Sequence, residues 1–195
     1  MKVAVGVIPR HAHRYDDEIE QALRDALSAA KKNAGAIGSC GIDDVSDTVQ
    51  LAAFTRQVAL AKELALPLIV KAPACEGRAF EIVQERDLPF DQVLLRVDGI
   101  DEASLSSWVE AGSYLSFNAA HANEAEALYR FTETLPADRI MVESGAPSAQ
   151  LKLLAGEKPR TDQVVYVADA IISLVSAAQL TENFQAFFRM GVQRY

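Results

Sequence analysis

The sequence predicts an α/β fold built on a parallel sheet of about six strands. Three observations point there. Short, continuous apolar runs recur along the chain, as in strands covered on both faces. Between them lie longer stretches whose apolar residues repeat at helical spacing. Strand and helix patterns therefore alternate, which is the signature of βα units. The run 66–71 shows the first feature best. It reads Leu-Pro-Leu-Ile-Val-Lys, follows an amphipathic stretch at 49–65, and stops abruptly on Lys71. In parallel α/β folds ligands bind at the carboxyl ends of the strands. Lys71 is thus placed where chemistry is expected.

The elements follow in order. Residues 2–8 are a β-branched run that ends at Pro9. Residues 16–32 carry Ile19, Leu23, Ala26, Leu27 and Ala30 on one helical face, with Asp16, Asp17 and Glu18 at the start and Lys31 and Lys32 at the end. That polarity complements the helix dipole. A small-residue strand at 34–38 leads through a loop at 39–47 to a helix at 49–65 and the strand 66–71. The pattern continues as helix 76–86, strand 92–97, a helix from Asp101 to near Gly112, strand 113–117, helix 124–135 and strand 139–142. A loop spans 146–160, followed by helices at 162–178 and 181–190. No Pro/Ser/Gly-rich linker divides the chain, so one domain is expected. Two architectures fit: an open doubly wound sheet, or a (βα)₈-type barrel with elements missing. A Gly-rich phosphate turn after the first strand would favour the former, but Pro9-Arg10-His11 stands there, and the sequence has no GxGxxG or P-loop.

Composition narrows the function. The net charge of −8 argues against a broad nucleic-acid-binding surface, while leaving room for a small basic pocket. Two cysteines, Cys40 and Cys75, are too few for a disulfide framework, and a reduced cytoplasmic setting is expected. No apolar run approaches the ~20 residues of a membrane span. The first residues look like a strand and lack the small-residue cleavage site of a signal peptide.

Several segments together resemble the TatD-like metal-dependent hydrolases, a branch of the amidohydrolase-type barrels. Val5-Gly6-Val7-Ile8-Pro9-Arg10 is similar to the family's G-[IV]-H-P strand, and Ala36-Ile37-Gly38-Ser39-Cys40-Gly41-Ile42-Asp43 to A-I-G-E-x-G-L-D. The stretch 54–71 resembles F-x-x-Q-L-x-L-A-x-x-L-x-L-P-[VI]-I-[IV]-H, and the stretch 135–147 resembles L-P-x-[DE]-R-[IL]-L-x-E-[ST]-D-A-P. Lys158-Pro159-Arg160, Asn183 and Phe187-Phe188 fit the family's tail. The resemblance runs over nearly the whole chain with the motifs in order. It implies a parallel TIM-barrel-like fold, incomplete at about six strands because the chain starts at the family's third strand. It also implies divalent metal held by His and carboxylate ligands, activating water for phosphodiester hydrolysis, usually of DNA.

The matching ligand positions have changed. The glutamate of G-E-x-G is Ser39, the histidine after the third strand is Lys71, the histidine after the fourth falls at Val97 or nearby, and the aspartate of [ST]-D-A-P is Gly145. The H-x-H-x-D of the family's first strand has no counterpart. Metal binding needs deprotonated O or N donors converging on a point, and a lysine ammonium repels a divalent ion. The sequence therefore predicts no cofactor and a non-catalytic binding or assembly subunit. Divalent metal is expected only if the rival reading, an active TatD-like hydrolase, holds.

Arg10, Ser39, Lys71 and Arg96, with Glu143 and Ser144 after the sixth strand, are the ligand-pocket candidates. Fixed cations beside a hydroxyl suit phosphate or carboxylate, so a small anionic ligand is expected. Equally, Lys71 could serve as half of a structural ion pair with Glu143 or Asp98. A more distant alternative makes Lys71 the Schiff-base nucleophile of an aldolase-like enzyme. His11-Ala12-His13 and His121 are expected as loop histidines at the surface, His121 alternatively at the pocket mouth. The cysteines lack a nearby base and are expected to be small buried side chains. Six parallel strands cannot close with the tilt and shear of eight, so two edges would stand open. Cover is expected from a second copy, a different subunit or an altered terminus, and a homodimer or partner-bound subunit is the expectation.

Overall fold

A computed structural model describes residues 1–146 and 158–189. Six strands run parallel in one sheet: β1 (Val3–Val5), β2 (Ala34–Cys40), β3 (Leu68–Val70), β4 (Val93–Arg96), β5 (Tyr114–Phe117) and β6 (Ile140–Val142). Their spatial order is their sequence order, β1-β2-β3-β4-β5-β6. A doubly wound sheet would reverse direction at a switch point. This one never does, so it is the wall of a barrel that stays open between β1 and β6. Between the strands lie α1 (Asp17–Ala30), α2 (Thr48–Glu63), α3 (Glu76–Glu85), α4 (Glu102–Glu110) and α5 (Ala125–Glu133); α6 (Val164–Ile171) and α7 (Ala177–Phe187) follow β6. No helix among the described residues is long and apolar enough to cross a membrane.

Local chemistry starts the helices where the sequence places acidic and polar caps. The Asp16 carboxylate accepts from the Ile19 N–H, that of Asp47 from Val49 and Gln50, and that of Asp101 from Ala103. Several boundaries differ from expectation, the first strand among them, which spans Val3–Val5 where 2–8 is expected. Residues 9–14, read as a loop, form a 3-10 helix (Pro9–Arg14). The strand at 34–38 extends through Ser39 to Cys40. The long helix expected at 162–178 ends at Ile171, and α7 begins at Ala177, where the Ser176 hydroxyl caps it by accepting from the Gln179 N–H. Most of the loop expected over 146–160, and the end of the last helix at 190, lie outside the described residues.

The pleat sorts the strand side chains into two layers. On the helix side, Ile37, Val70, Leu95, Leu115 and Phe117 join Phe54, Ile82, Trp108 and Leu128 in the main core. On the concave side, Leu94, Tyr114 and Met141 are covered by Phe187 from the end of α7, with Ile69 and Phe188 packed alongside. The apolar floor of the half-barrel is thus made partly by the last helix. Asn183 anchors that helix. Its buried amide donates to the carbonyls of Ala137 (2.8 Å) and Ile140 (2.7 Å) at the start of β6. At the opposite edge the buried amide of Gln57 accepts from the Val7 N–H (2.7 Å) and donates to the Val7 carbonyl (3.1 Å), holding the backbone that follows β1.

Candidate active site at the strand ends

Two residues beyond each concave-side floor residue, the same face presents a polar layer. Ile69 leads to Lys71, Leu94 to Arg96, Tyr114 to Ser116 and Met141 to Glu143. Ser39 joins from β2, whose register with β3 shifts between Gly38 and Cys40.

Arg96 organises this layer. Its Nε donates to both Glu143 oxygens (2.9 Å each), Nη2 donates to Glu143 Oε1 (2.6 Å), and Nη1 donates to Ser39 Oγ (3.0 Å). The two charged side chains are 25% and 24% exposed, so the pair is substantially shielded. This is a bidentate clamp, the strongest form of Arg–carboxylate contact. Lys71 is less firmly held. Its Nζ lies 3.6 Å from Asp98 Oδ1, with side chains 37% and 48% exposed. That exposure also lacks the desolvation on which Schiff-base lysines depend. Arg10, on the 3-10 helix after β1, is exposed and makes no ion pair among the described residues. Ser144 Oγ accepts from the Ala146 N–H (3.2 Å) and shapes the turn after β6.

Above the layer opens a cavity of about 500 Å³. Every strand end contributes to it: Arg10 after β1, Asp43 after β2, Lys71 after β3, Arg96 and Asp98 at the end of β4, Asn118 after β5 and Gly145 after β6. Of the predicted pocket residues, Arg10, Lys71 and Arg96 line it directly, while Ser39 and Glu143 are tied to it through Arg96. Asp43 and Asn118 were not read as pocket residues. Both stand just past a strand, and Asp43 also matches the final aspartate of the A-I-G-E-x-G-L-D motif.

The remaining candidates sit elsewhere. Val97 packs in the helix-side core, so the inward side chain at the end of β4 is Arg96, one residue earlier. Gly145 brings no donor and takes a positive φ of 67°. His11 and His13 stand 6.4 Å apart, ring to ring, on the 3-10 helix. His121 is buried rather than at the surface, because Phe117 packs edge-on against its ring. Its Nδ1 accepts from the Asn118 N–H (3.1 Å), and its Nε2 has no partner among the described residues. Burial pushes its pKa down. Burial likewise pushes the thiols of Cys40 and Cys75 up, Cys75 with the Glu76 charge adding to the effect, which keeps both unreactive.

The sequence matches the TatD related DNase family over residues 1–189. This chain belongs to that hydrolase family. A curated relative, the 3'-5' ssDNA/RNA exonuclease TatD of Erwinia tasmaniensis, is 30% identical over 148 residues, covering 73% of this chain and 56% of the relative. The uncharacterized metal-dependent hydrolase YabD of Bacillus subtilis is 28% identical over 177 residues, 85% of this chain and 69% of that one. The chain thus spans about half the length of the TatD exonuclease it matches, 56%. Among solved structures, YJJV, a TatD homolog from Escherichia coli, superposes with a TM-score of 0.82 at 20% identity, over 96% of this chain and 76% of that one. That likeness establishes the TatD-type barrel architecture. The sheet of this member does not close.

Divalent metal is the family's implied cofactor, and the donors at these strand ends do not fit it. Ser39 is a neutral hydroxyl already accepting from Arg96, Lys71 is a cation, Val97 faces the core and Gly145 has no side chain. Glu143 is the carboxylate in the layer, and the guanidinium occupies both its oxygens. Among the described residues no three His, Cys, Asp or Glu side chains converge as a metal site.

Proposed function

We propose that this TatD-family chain is a non-catalytic binding subunit that takes a small anionic ligand at its strand ends. One observation carries the reading. The cationic guanidinium of Arg96 lies among Glu143 and Ser39, where metal chemistry would need a divalent ion. The guanidinium engages both oxygens of Glu143, while at the mouth the Asp43 carboxylate accepts from Gln50 and that of Asp98 faces Lys71, an arrangement that supports a site without metal. Displacing the guanidinium by metal would leave Arg96 unpaired in a partly shielded site. The second reading, a metal-dependent hydrolase acting on single-stranded DNA or RNA, is favoured by the names of the curated relatives.

The test is a nuclease assay on the full chain. Single-stranded DNA and RNA oligonucleotides, labelled at the 5' end, are incubated with Mg²⁺, Mn²⁺ or Zn²⁺ and with EDTA. Product formation equal to the buffer control in all four conditions is expected. Metal-dependent shortening from the 3' end that co-purifies with the chain, and survives repeat chromatography, would establish the hydrolase instead.

A further inference from the structure

The cavity mouth carries a pattern that a simple anion site does not need. Taken strand by strand, its charges alternate: Arg10 after β1, Asp43 after β2, Lys71 after β3, Asp98 after β4. Asn118 after β5 is a neutral amide, and Gly145 and Ala146 after β6 carry no charge. Beneath them, Arg96 is balanced by Glu143. Among the described residues the lining therefore has no surplus of positive charge to draw in a multiply charged anion.

An anion on its own meets a cost here. Bound at Lys71 it lies beside Asp98, which brings two negative groups together. A ligand that carries an ammonium next to its carboxylate avoids the conflict. Its carboxylate faces Lys71 and Arg10 while its ammonium faces Asp98 or Asp43. Lys71 Nζ and Asp98 Oδ1 stand 3.6 Å apart, after neighbouring parallel strands. An α-amino acid carries its ammonium and carboxylate on one carbon, so the two groups can face this close pair together. The existing Lys71–Asp98 contact of 3.6 Å is long and solvent-accessible, so it yields readily to an incoming group. The volume of about 500 Å³ is that of a small-molecule site and leaves room for a side chain along Ile8 and Pro73.

We infer that the strand-end cavity binds a small zwitterion of the free α-amino-acid class, with Lys71 and Asp98 as the opposed charge partners. This inference rests on the reading of the strand ends as a ligand pocket and narrows the anion to one bearing its own cation.

The experiment is a nitrogen-15 correlation NMR titration of the full chain. The probes are an equimolar mixture of the twenty proteinogenic α-amino acids, then its members singly, with sodium acetate and inorganic phosphate as anions lacking an ammonium. The expected result is saturable shifts around Lys71, Asp98 and Asn118 with at least one amino acid. Acetate and phosphate should bind about tenfold more weakly or not at all, the equivalent of one lost charge-assisted contact. Lys71→Met and Asp98→Asn should each weaken the amino acid by a similar factor while resonances far from the cavity stay in place. Saturable binding of phosphate or acetate at least as tight as any amino acid, and indifferent to Asp98→Asn, would overturn the zwitterion and leave the anion pocket standing. Absence of cavity shifts with every probe would overturn both.

Discussion

Removing Arg96 is the most informative perturbation of this molecule. In Arg96→Met the aliphatic stem is roughly conserved, but Glu143 loses all three of its N–H contacts and Ser39 loses one. Breaking a fully buried ion pair costs roughly 3–5 kcal/mol, because the surviving charge is left uncompensated. Here about a quarter of each side chain still reaches solvent, so the expected loss is lower, about 2–3 kcal/mol. With a urea dependence of about 2 kcal/mol per molar, the unfolding midpoint should fall by roughly 1–1.5 M. The double variant Arg96→Met/Glu143→Met removes both charges and should recover to within about 1 kcal/mol of the parent, giving a large coupling energy. Equilibrium urea unfolding followed by tryptophan fluorescence suits the measurement, since Trp108 is fully buried in the helix-side core. A loss under about 0.5 kcal/mol for Arg96→Met would mean the pair behaves like an exposed one, and the clamp would not be the centre of the site.

Three further outcomes follow from the same physics. Asn183→Ala strands the carbonyls of Ala137 and Ile140 and should cost about 2 kcal/mol in the same unfolding assay, whereas an unchanged midpoint would show that other groups satisfy them. His121 has a depressed pKa when folded, so below about 6.5 the unfolded chain takes the proton first. Its contribution to stability is therefore whole above that pH and is lost as pH falls from there through the folded value; His121→Asn should flatten the fall in midpoint between pH 7 and pH 5, and an unaltered slope would remove His121 as its source. The open edges of β1 and β6, with Val165 and Tyr166 exposed on α6 beside β6 and Ile172 exposed just after it, are proposed to be covered by a second copy of the chain. Native mass spectrometry should then give twice the chain mass of 21.2 kDa, and a stable monomer at micromolar concentration would contradict that.

Much of this architecture is legible in the residues. Apolar runs placed all six strands, and Asp16 marked the start of α1, because these signals are local. The site was legible only in part, and strand parity explains why. Aligning motifs put the missing fourth-strand histidine at Val97 or nearby. A motif of different length does not say which residue faces inward, and a shift by one swaps the two faces of a strand. Counting in twos from the floor residues Leu94 and Met141 leads to Arg96 and Glu143, but which residues form the floor depends on Phe187 folding back from α7. His121 was hidden for a similar reason, since its burial comes from tertiary packing against Phe117. The break before α7 was readable in hindsight: Ser176 stands three residues before Gln179, the spacing of a capping box, within an apolar rhythm that otherwise reads as one helix. Choosing the partner of each cation needed the structure. Glu143 and Asp98 were both within sequence-level reach of Lys71, and the pleat decided that Arg96 takes Glu143 and Lys71 takes Asp98.

Zinc and manganese titration of the purified full chain by calorimetry, checked by elemental analysis after dialysis, bears most directly on whether the guanidinium has replaced the metal. Heats matching buffer dilution, with far less than one equivalent of metal retained per chain, are expected. One or two equivalents held tightly, and lost on Glu143→Gln, would show that the carboxylate serves a metal and that the Arg96 clamp opens to admit it.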